Sequence, residues 1–441
     1  MRSCESSLVY YLGVASLLIT TALHCGRADA ASASMAAADW VGTWAAAGSR
    51  TGPFDPPARV RNDQTIRQIV RISRGGKRFR VRLSNVHGTA PLTIGAATIA
   101  PHRVEATVRA AGLRQLTFDG TRGVTLAAGA WALSDPVRLA APDLSTLAIS
   151  LYLPDGGVEP SSPVTTHVRA LQTAYVAAGD QTARAAPQVD RTLTSWYYLT
   201  GVDVITPAPT PVIAVLGDSI ANGDESTPDS NRRWPDVLAE RIYSARDAEQ
   251  GGPARAGVLN LGISGNQVTS AVIGESATER FDRDVLTRSG VSHVIIMAGI
   301  NDLGLPGLLT RSGVPTLAVS AEVVIDGYRQ LISGARAAEL TVIGATLTPS
   351  GSFALPGYNT PEVEAKRQII NGWIRDGGAF DAVIDFDAVL RDPVDPARLR
   401  PDLTADGLHP NDAGYQAMAE AVPLIVLRPR KMGRDSSAAQ R

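Results

Sequence analysis

The spacing of apolar and polar positions changes once along the chain. From about Trp40 to Val204 it has period two: Phe79, Val81 and Leu83 alternate with Arg78, Arg80 and Arg82, and Leu147, Ile149, Leu151 and Leu153 alternate with Thr146, Ala148, Ser150 and Tyr152. Alternation gives each strand one core face and one wet face, the habit of antiparallel sheets. Turn signals at Gly75-Gly76, His87-Gly88, Asp119-Gly120, Ala128-Gly129 and Asp155-Gly156-Gly157 break the runs at hairpin-like intervals. The region is therefore expected to be a β-sandwich, with the arginine stripe on a solvated face and a ligand-binding role for it as the alternative.

After Thr206-Pro207-Ala208-Pro209-Thr210-Pro211 the pattern becomes short continuous apolar runs, at Val212 to Leu216, Val258 to Leu261, Val294 to Ala298, Thr341 to Leu347 and Val383 to Phe386. Runs of this kind are strands buried on both faces. Between them Val324, Tyr328, Leu331 and Ala335 recur at helical spacing, and a second helix is predicted over Pro361 to Arg375. Alternating strands and helices imply an α/β fold, a parallel sheet with right-handed crossovers and helices on both faces. Functional groups of such a sheet collect beyond the carboxyl ends of its strands.

The first residues read differently again. Leu8 to Leu23 is an apolar stretch behind Arg2, and Ala28-Asp29-Ala30 offers small residues for signal cleavage. A cleaved secretory signal is the preferred reading and a retained membrane anchor the alternative; His24 before Cys25 speaks against a lipoprotein anchor. Residues 1–30 are thus expected to be a signal peptide, 31–206 the β-sandwich, 207–427 the α/β domain, and 428–441 a disordered tail rich in charge and small residues. Export implies a secreted or periplasmic protein with no stable membrane association after cleavage.

Composition narrows the chemistry. The 441 residues are 44% hydrophobic and 19% charged with a net charge of -1, so two packed domains are within reach and no global field draws the protein to nucleic acid. The two cysteines, Cys4 and Cys25, both lie in the leader, which removes thiol, disulfide and cysteine-metal chemistry from the mature protein. No Walker loop or G-x-G-x-x-G follows a strand, so no nucleotide cofactor is expected. Asp218, Asp224 and Asp302 could attract a cation, but they lie among neutral donors and no metal is expected. Oligomeric state is not encoded in these patterns.

Four predicted strand ends carry polar chemistry. The first ends in Gly217-Asp218-Ser219-Ile220, where Ser219 is either a helix N-cap or a nucleophile facing the crevice. The second ends in Gly262-Ile263-Ser264-Gly265-Asn266, whose glycines form either an oxyanion nest or a tight loop. The third ends in Gly299-Ile300-Asn301-Asp302, where Asn301 either caps a helix or donates its amide to the same oxygen. The last segment, Asp406-Gly407-Leu408-His409-Pro410-Asn411, precedes a helix to be capped by Asn411 or Asp412. A carboxylate three residues before an imidazole can fix its tautomer through Nδ1 and leave Nε2 free as a base. Nucleophile, oxyanion donors, base and orienter on separate strand ends of one sheet are what acyl transfer requires.

The blocks Gly217 to Ile220, Gly262 to Asn266, Gly299 to Asp302 and Asp406 to Asn411 resemble, in order and spacing, those of the GDSL or SGNH hydrolase family. Arg233-Trp234-Pro235-Asp236 and Trp40-Val41-Gly42-Thr43-Trp44 look like its secreted two-domain bacterial branch. The resemblance implies a flavodoxin-like parallel sheet behind an N-terminal β-sandwich. It implies Ser219 as nucleophile, His409 as base, Asp406 as its orienter, and Ser219, Gly265 and Asn301 as the oxyanion hole. The chain departs from that branch at Ala221-Asn222, where many members carry Thr-Asp. The expected activity is a secreted carboxylic ester hydrolase without cofactor or metal, acting on short acyl groups such as O-acetyl on carbohydrate, with small esters or acylated polysaccharide as its partners. A lipase or lysophospholipase of the same family and a non-catalytic carbohydrate-binding surface protein are the competing readings. Activity is expected to rise with pH through the histidine pKa, near ~6.5 if unperturbed.

Overall fold

A computed structural model describes residues 40–51, 59–206, 210–244, 251–314 and 316–428. The leader, the tail beyond Arg428 and the middle of the proline-rich joint, residues 207–209, lie outside the described residues. Among the described residues no helix is long and apolar enough to cross a membrane.

The period-two region folds into two large antiparallel sheets and two two-stranded ribbons, Thr166–His167 with Trp196–Tyr197 and Leu92–Ile94 with Val124–Leu126. One large sheet runs Trp40–Ala45, Leu199–Ile205, Gly76–Ser84 and Val137–Ala141, with Trp131–Leu133 on the side of Gly76–Ser84. The other centres on Gln64–Arg71, Thr146–Leu153 and Ala96–Val104. Phe79, Val81 and Leu83 from the first and Leu147, Ile149, Leu151 and Leu153 from the second are all fully buried in one apolar core, the inner layer of a sandwich.

The arginine stripe corrects the expectation of a solvated face. Arg80 Nε donates to Asp203 Oδ2 at 2.9 Å and Nη2 to Ser289 Oγ at 3.0 Å, while its guanidinium stacks 4.3 Å from the Trp40 ring. Arg82 donates to Thr287 Oγ1 at 3.0 Å and stacks 3.7 Å from the Trp131 ring. Residues 287–289 of the following α/β region thus lie against Arg80 and Arg82 on the outer face of this sheet, and alternation marks a face as polar without saying what lies against it.

The second region is a five-stranded, all-parallel sheet in the order Gly257–Gly262, Val212–Gly217, Val291–Met297, Thr341–Ala345, Ala382–Ile384. Its two faces sort by alternate residues. Ala214, Leu216, Leu261, Ile296 and Val342 meet the helices Ala321–Ala337 and Pro361–Asp376, and Ile213, Val215, Ile295 and Ile343 meet Trp234–Tyr243 and Asp412–Ala421. The helical stripe Val324, Tyr328, Leu331, Ala335 is buried. This is the doubly wound α/β arrangement, with its order reversing between the first and third strands, where a crevice opens at the carboxyl edge.

The sandwich and this sheet share more than a boundary. Val212, Leu259 and Leu261 belong to the same continuous core as the sandwich strands, and Val258 N donates to Ser73 Oγ at 2.9 Å. The described residues from Trp40 onward form one compact unit.

Candidate active site

Each candidate residue stands where a parallel strand ends. The first strand runs to Gly217 and the chain turns into the short helix Ser219–Asn222. Asp218 is the N-cap, its side chain accepting from Ile220 N at 3.0 Å. Ser219 is therefore not a capping residue. Its hydroxyl lies 2.9 Å from His409 Nε2, and its own N–H, in the first turn, has no intrahelical acceptor.

His409 is presented by a loop that its sequence closes tightly. Gly407 has φ +87, and a Cβ there would come within 2.5 Å of the Ser352 backbone, so only glycine fits without displacing that segment. Asp406 Oδ1 accepts from Leu408 N at 2.9 Å and His409 N at 2.8 Å, and Oδ2 lies 2.7 Å from His409 Nδ1. The carboxylate thus fixes both loop and ring, placing the hydrogen on Nδ1 and leaving Nε2 toward the serine. Asn411 caps the helix Asp412–Ala421, accepting from Ala413 N and Gly414 N.

Charge follows from this geometry. Burial pushes the Asp406 carboxyl up, but the hydrogen bond and charge of His409 and the two backbone N–H groups outweigh it and hold the pKa down at about 2. For His409 burial favours the neutral ring, yet the Asp406 hydrogen bond and the nearby Asp224, Asp406 and Asp218 carboxylates raise its pKa above the ordinary value. Burial, ahead of the neighbouring carboxylates, pushes Asp218 up to about 7.

Further polar groups of the cleft come from the neighbouring strand ends. Gly265, φ +79, sits in the turn after the second strand and lines the same cleft as Ser219 and His409. Asn301 does not cap the helix Ile300–Arg311, whose N-cap is Gly299. Its Nδ2 donates to Asn266 O at 3.1 Å and its Oδ1 accepts from the Tyr358 hydroxyl at 2.8 Å, so the amide's orientation is set and one Nδ2 hydrogen is left for the cleft. Asp302 is a structural anchor: Val268 N, Thr269 N and Thr269 Oγ1 donate to it, and burial pushes its pKa up to about 6.

Two further residues escape sequence reading. Tyr358 lies in a loop with no periodic signal. Arg280, fully buried, donates to Gly217 O at 2.9 Å, Leu261 O at 2.8 Å and Asn266 Oδ1 at 2.9 Å, tying the first two strand ends together, and pairs with Asp284 at 3.2 Å. Its capping-box helix, with Ser276 and Glu279, is a local signal, but nothing in the sequence says where the guanidinium goes.

The cleft these groups share takes in about 890 Å³ of space, the open solvent at its mouth included. It is lined by Ser219, Ser264, Gly265, Asn301 and His409, by the apolar side chains of Ile273, Leu305, Leu308, Phe353, Leu355 and Leu408 with the Tyr358 ring, and by Asp224 and the sandwich residue Arg169. Among the described residues no group of three His, Cys, Asp or Glu side chains is placed to hold a metal. Chemically, a hydroxyl against an imidazole that a carboxylate orients, beside N–H donors, can attack a carbonyl carbon and hold the resulting oxyanion.

Residues 215–417 match the family model described as GDSL-like Lipase/Acylhydrolase family. No curated protein matches the chain. Among solved structures it is similar to a GDSL-like lipase from Bacteroides thetaiotaomicron VPI-5482, at 18% identity over 49% of this chain and 88% of that one with a TM-score of 0.35. It is similar also to an acetyl xylan esterase, at 18% identity over 48% and 96% with a TM-score of 0.34. A carbohydrate acetylesterase from Sinorhizobium meliloti matches at 13% identity over 48% and 97% with a TM-score of 0.35.

Proposed function

We propose, on the premise that residues 215–417 are a GDSL-like lipase/acylhydrolase domain, that the protein is a serine carboxylic ester hydrolase. The observation that carries this reading is the continuous chain from Asp406 Oδ2 through His409 to Ser219 Oγ, 2.7 and 2.9 Å long at its two contacts. Ser219 Oγ attacks the ester carbonyl as His409 Nε2 takes its proton. The oxyanion is held by the N–H groups of Ser219 and Gly265 and by Asn301 Nδ2. The alcohol leaves with the proton from His409, and water repeats the sequence on the acyl-enzyme. Export to the periplasm or medium is part of the proposal and rests on the leader-like sequence of residues 1–30.

The substrate reading divides. Short O-acyl groups on carbohydrate are what a leader and a sandwich in front of the hydrolase suggest, by analogy of architecture. The apolar lining of seven side chains, Leu408 and the Tyr358 ring included, favours an acyl group with a longer hydrocarbon body, because an acetyl methyl leaves most of that lining against water. Rates on p-nitrophenyl esters of increasing chain length test both. The cleft predicts an optimum beyond acetate, absent in Ser219→Ala; an optimum at acetate contradicts the longer-acyl reading and favours deacetylation.

A further inference from the structure

The sandwich reaches the nucleophile's turn through a buried amide. Asn222 ends the helix Ser219–Asn222 and is 2% exposed. Its Nδ2 faces three oxygens: the Arg169 carbonyl at 3.0 Å, Asp224 Oδ1 at 2.8 Å and Ser264 Oγ at 3.0 Å. With a carbonyl and a carboxylate on that side, the amide cannot be turned round, so Oδ1 faces His167 Nε2, 2.9 Å away. His167 and Arg169 belong to the sandwich. Ser264, which also donates to Asp224 at 2.8 Å, immediately precedes Gly265.

The same sandwich loop is fastened along its length to the chain that follows Ser219. Arg169 Nη1 pairs with Asp224 Oδ2 at 3.3 Å, Arg233 donates to Ala170 O, and Asp229 accepts from Gln172 Nε2 and Thr173 N, both at 2.6 Å. His167 is buried beside Trp196, and burial pushes its pKa down. A neutral ring has one N–H for two acceptor oxygens, Asn222 Oδ1 and Ala47 O.

We propose that Asn222 is a positioning residue that sets the Ser219 turn against the Ser264-Gly265 loop, and that the sandwich holds it there through His167 and Arg169. The N-terminal sheets are then part of the catalytic apparatus rather than an appended binding module. This inference rests on the esterase reading above. An attacking oxygen and its oxyanion donor come from the two segments that Asn222 joins, and a shift of ~1 Å between such groups costs on the order of 100-fold in rate.

The test is kcat and KM for p-nitrophenyl acetate and for acetylated xylan in four variants whose folding is checked by circular dichroism. Asn222→Asp keeps the shape and removes both N–H donors; Asn222→Ala removes the amide; His167→Ala removes the sandwich contact, and His167→Gln restores an N–H donor toward Asn222. The expected result is kcat lowered about 10- to 100-fold in both Asn222 variants, on both substrates, with KM within about threefold. His167→Ala shifts kcat in the same direction and His167→Gln recovers it. Wild-type kcat in Asn222→Asp overturns the proposal, as does a His167→Ala defect confined to KM for the polymer, which is the signature of a glycan-binding module. If Asn222→Asp does not fold, Ser264→Ala probes the other end of the same link, and wild-type kcat there overturns the proposal equally. Wild-type protein inert toward every ester is a different result and contradicts the esterase reading itself.

Discussion

The amide of Asn301 shows how a side chain with several possible partners acquires one task. Tyr358 donates to its oxygen and Asn266 accepts from its nitrogen, and the residue lines the cleft with a second nitrogen hydrogen that neither of these bonds uses. Asn301→Ala should lower kcat about 10²- to 10³-fold with KM nearly unchanged, because one oxyanion donor is lost. Tyr358→Phe should give a smaller loss of about 10-fold, through an amide free to rotate; steady-state kinetics of the two variants separate donor from orienter. The imidazole adds a pH prediction. His409 must be neutral to act as a base, and its pKa is raised, so kcat/KM should rise with pH through a midpoint above ~6.5 rather than at it. Asp406→Asn removes one of the carboxylates that raise it, so the midpoint should move toward acid while the plateau falls. A pH–rate profile whose midpoint is unmoved in Asp406→Asn would detach that carboxylate from the base. The Asp-x-x-His spacing made this pair legible in the sequence, whereas Tyr358 contacts Asn301 from 57 positions away and no local pattern announces it.

At the level of elements, the parallel strands were readable because a strand buried on both faces is a short unbroken apolar run, and the five predicted runs coincide closely with Val212–Gly217, Gly257–Gly262, Val291–Met297, Thr341–Ala345 and Ala382–Ile384. The last departs in detail: Phe386 opens a helix instead of ending the strand. What holds the strand ends in place was not readable. Arg280 reaches the carbonyls of Gly217 and Leu261 from a helix later in the chain, and its partner Asp284 is also paired with Arg283 at 2.9 Å. Removing a buried charge from such a cluster leaves carbonyls and a carboxylate short of donors. Arg280→Met should destabilise the protein by about 3 to 5 kcal/mol in urea unfolding, with loss of activity in the folded fraction because Gly217 and Asn266 flank the site on either side. Equal stability in the variant would mean that the strand ends are held by the sheet alone.

The molecule as a whole is where the sequence boundary and the structure differ most. The change of period at the proline-rich joint separates two sheet types, but the core does not divide there: Val212, Leu259 and Leu261 pack into the same cluster as Trp44, Val81 and Val202. The arginine stripe, expected to be wet, contributes Arg80 and Arg82 to the seam. Calorimetry should therefore show a single unfolding transition for both sheet systems. A fragment starting at Pro211 should fail to fold, since it would expose those side chains to water; two separated transitions would show independent domains. Beneath these predictions lies one statement, that a serine hydroxyl is activated at the edge of the parallel sheet. Reaction with a fluorophosphonate probe, followed by mass-spectrometric mapping of the adduct, tests it most directly. The expected result is a single adduct on Ser219, absent in Ser219→Ala and formed far more slowly in His409→Ala; a folded protein that stays unlabelled, or one labelled equally well without that hydroxyl, would show that Ser219 is not the activated nucleophile.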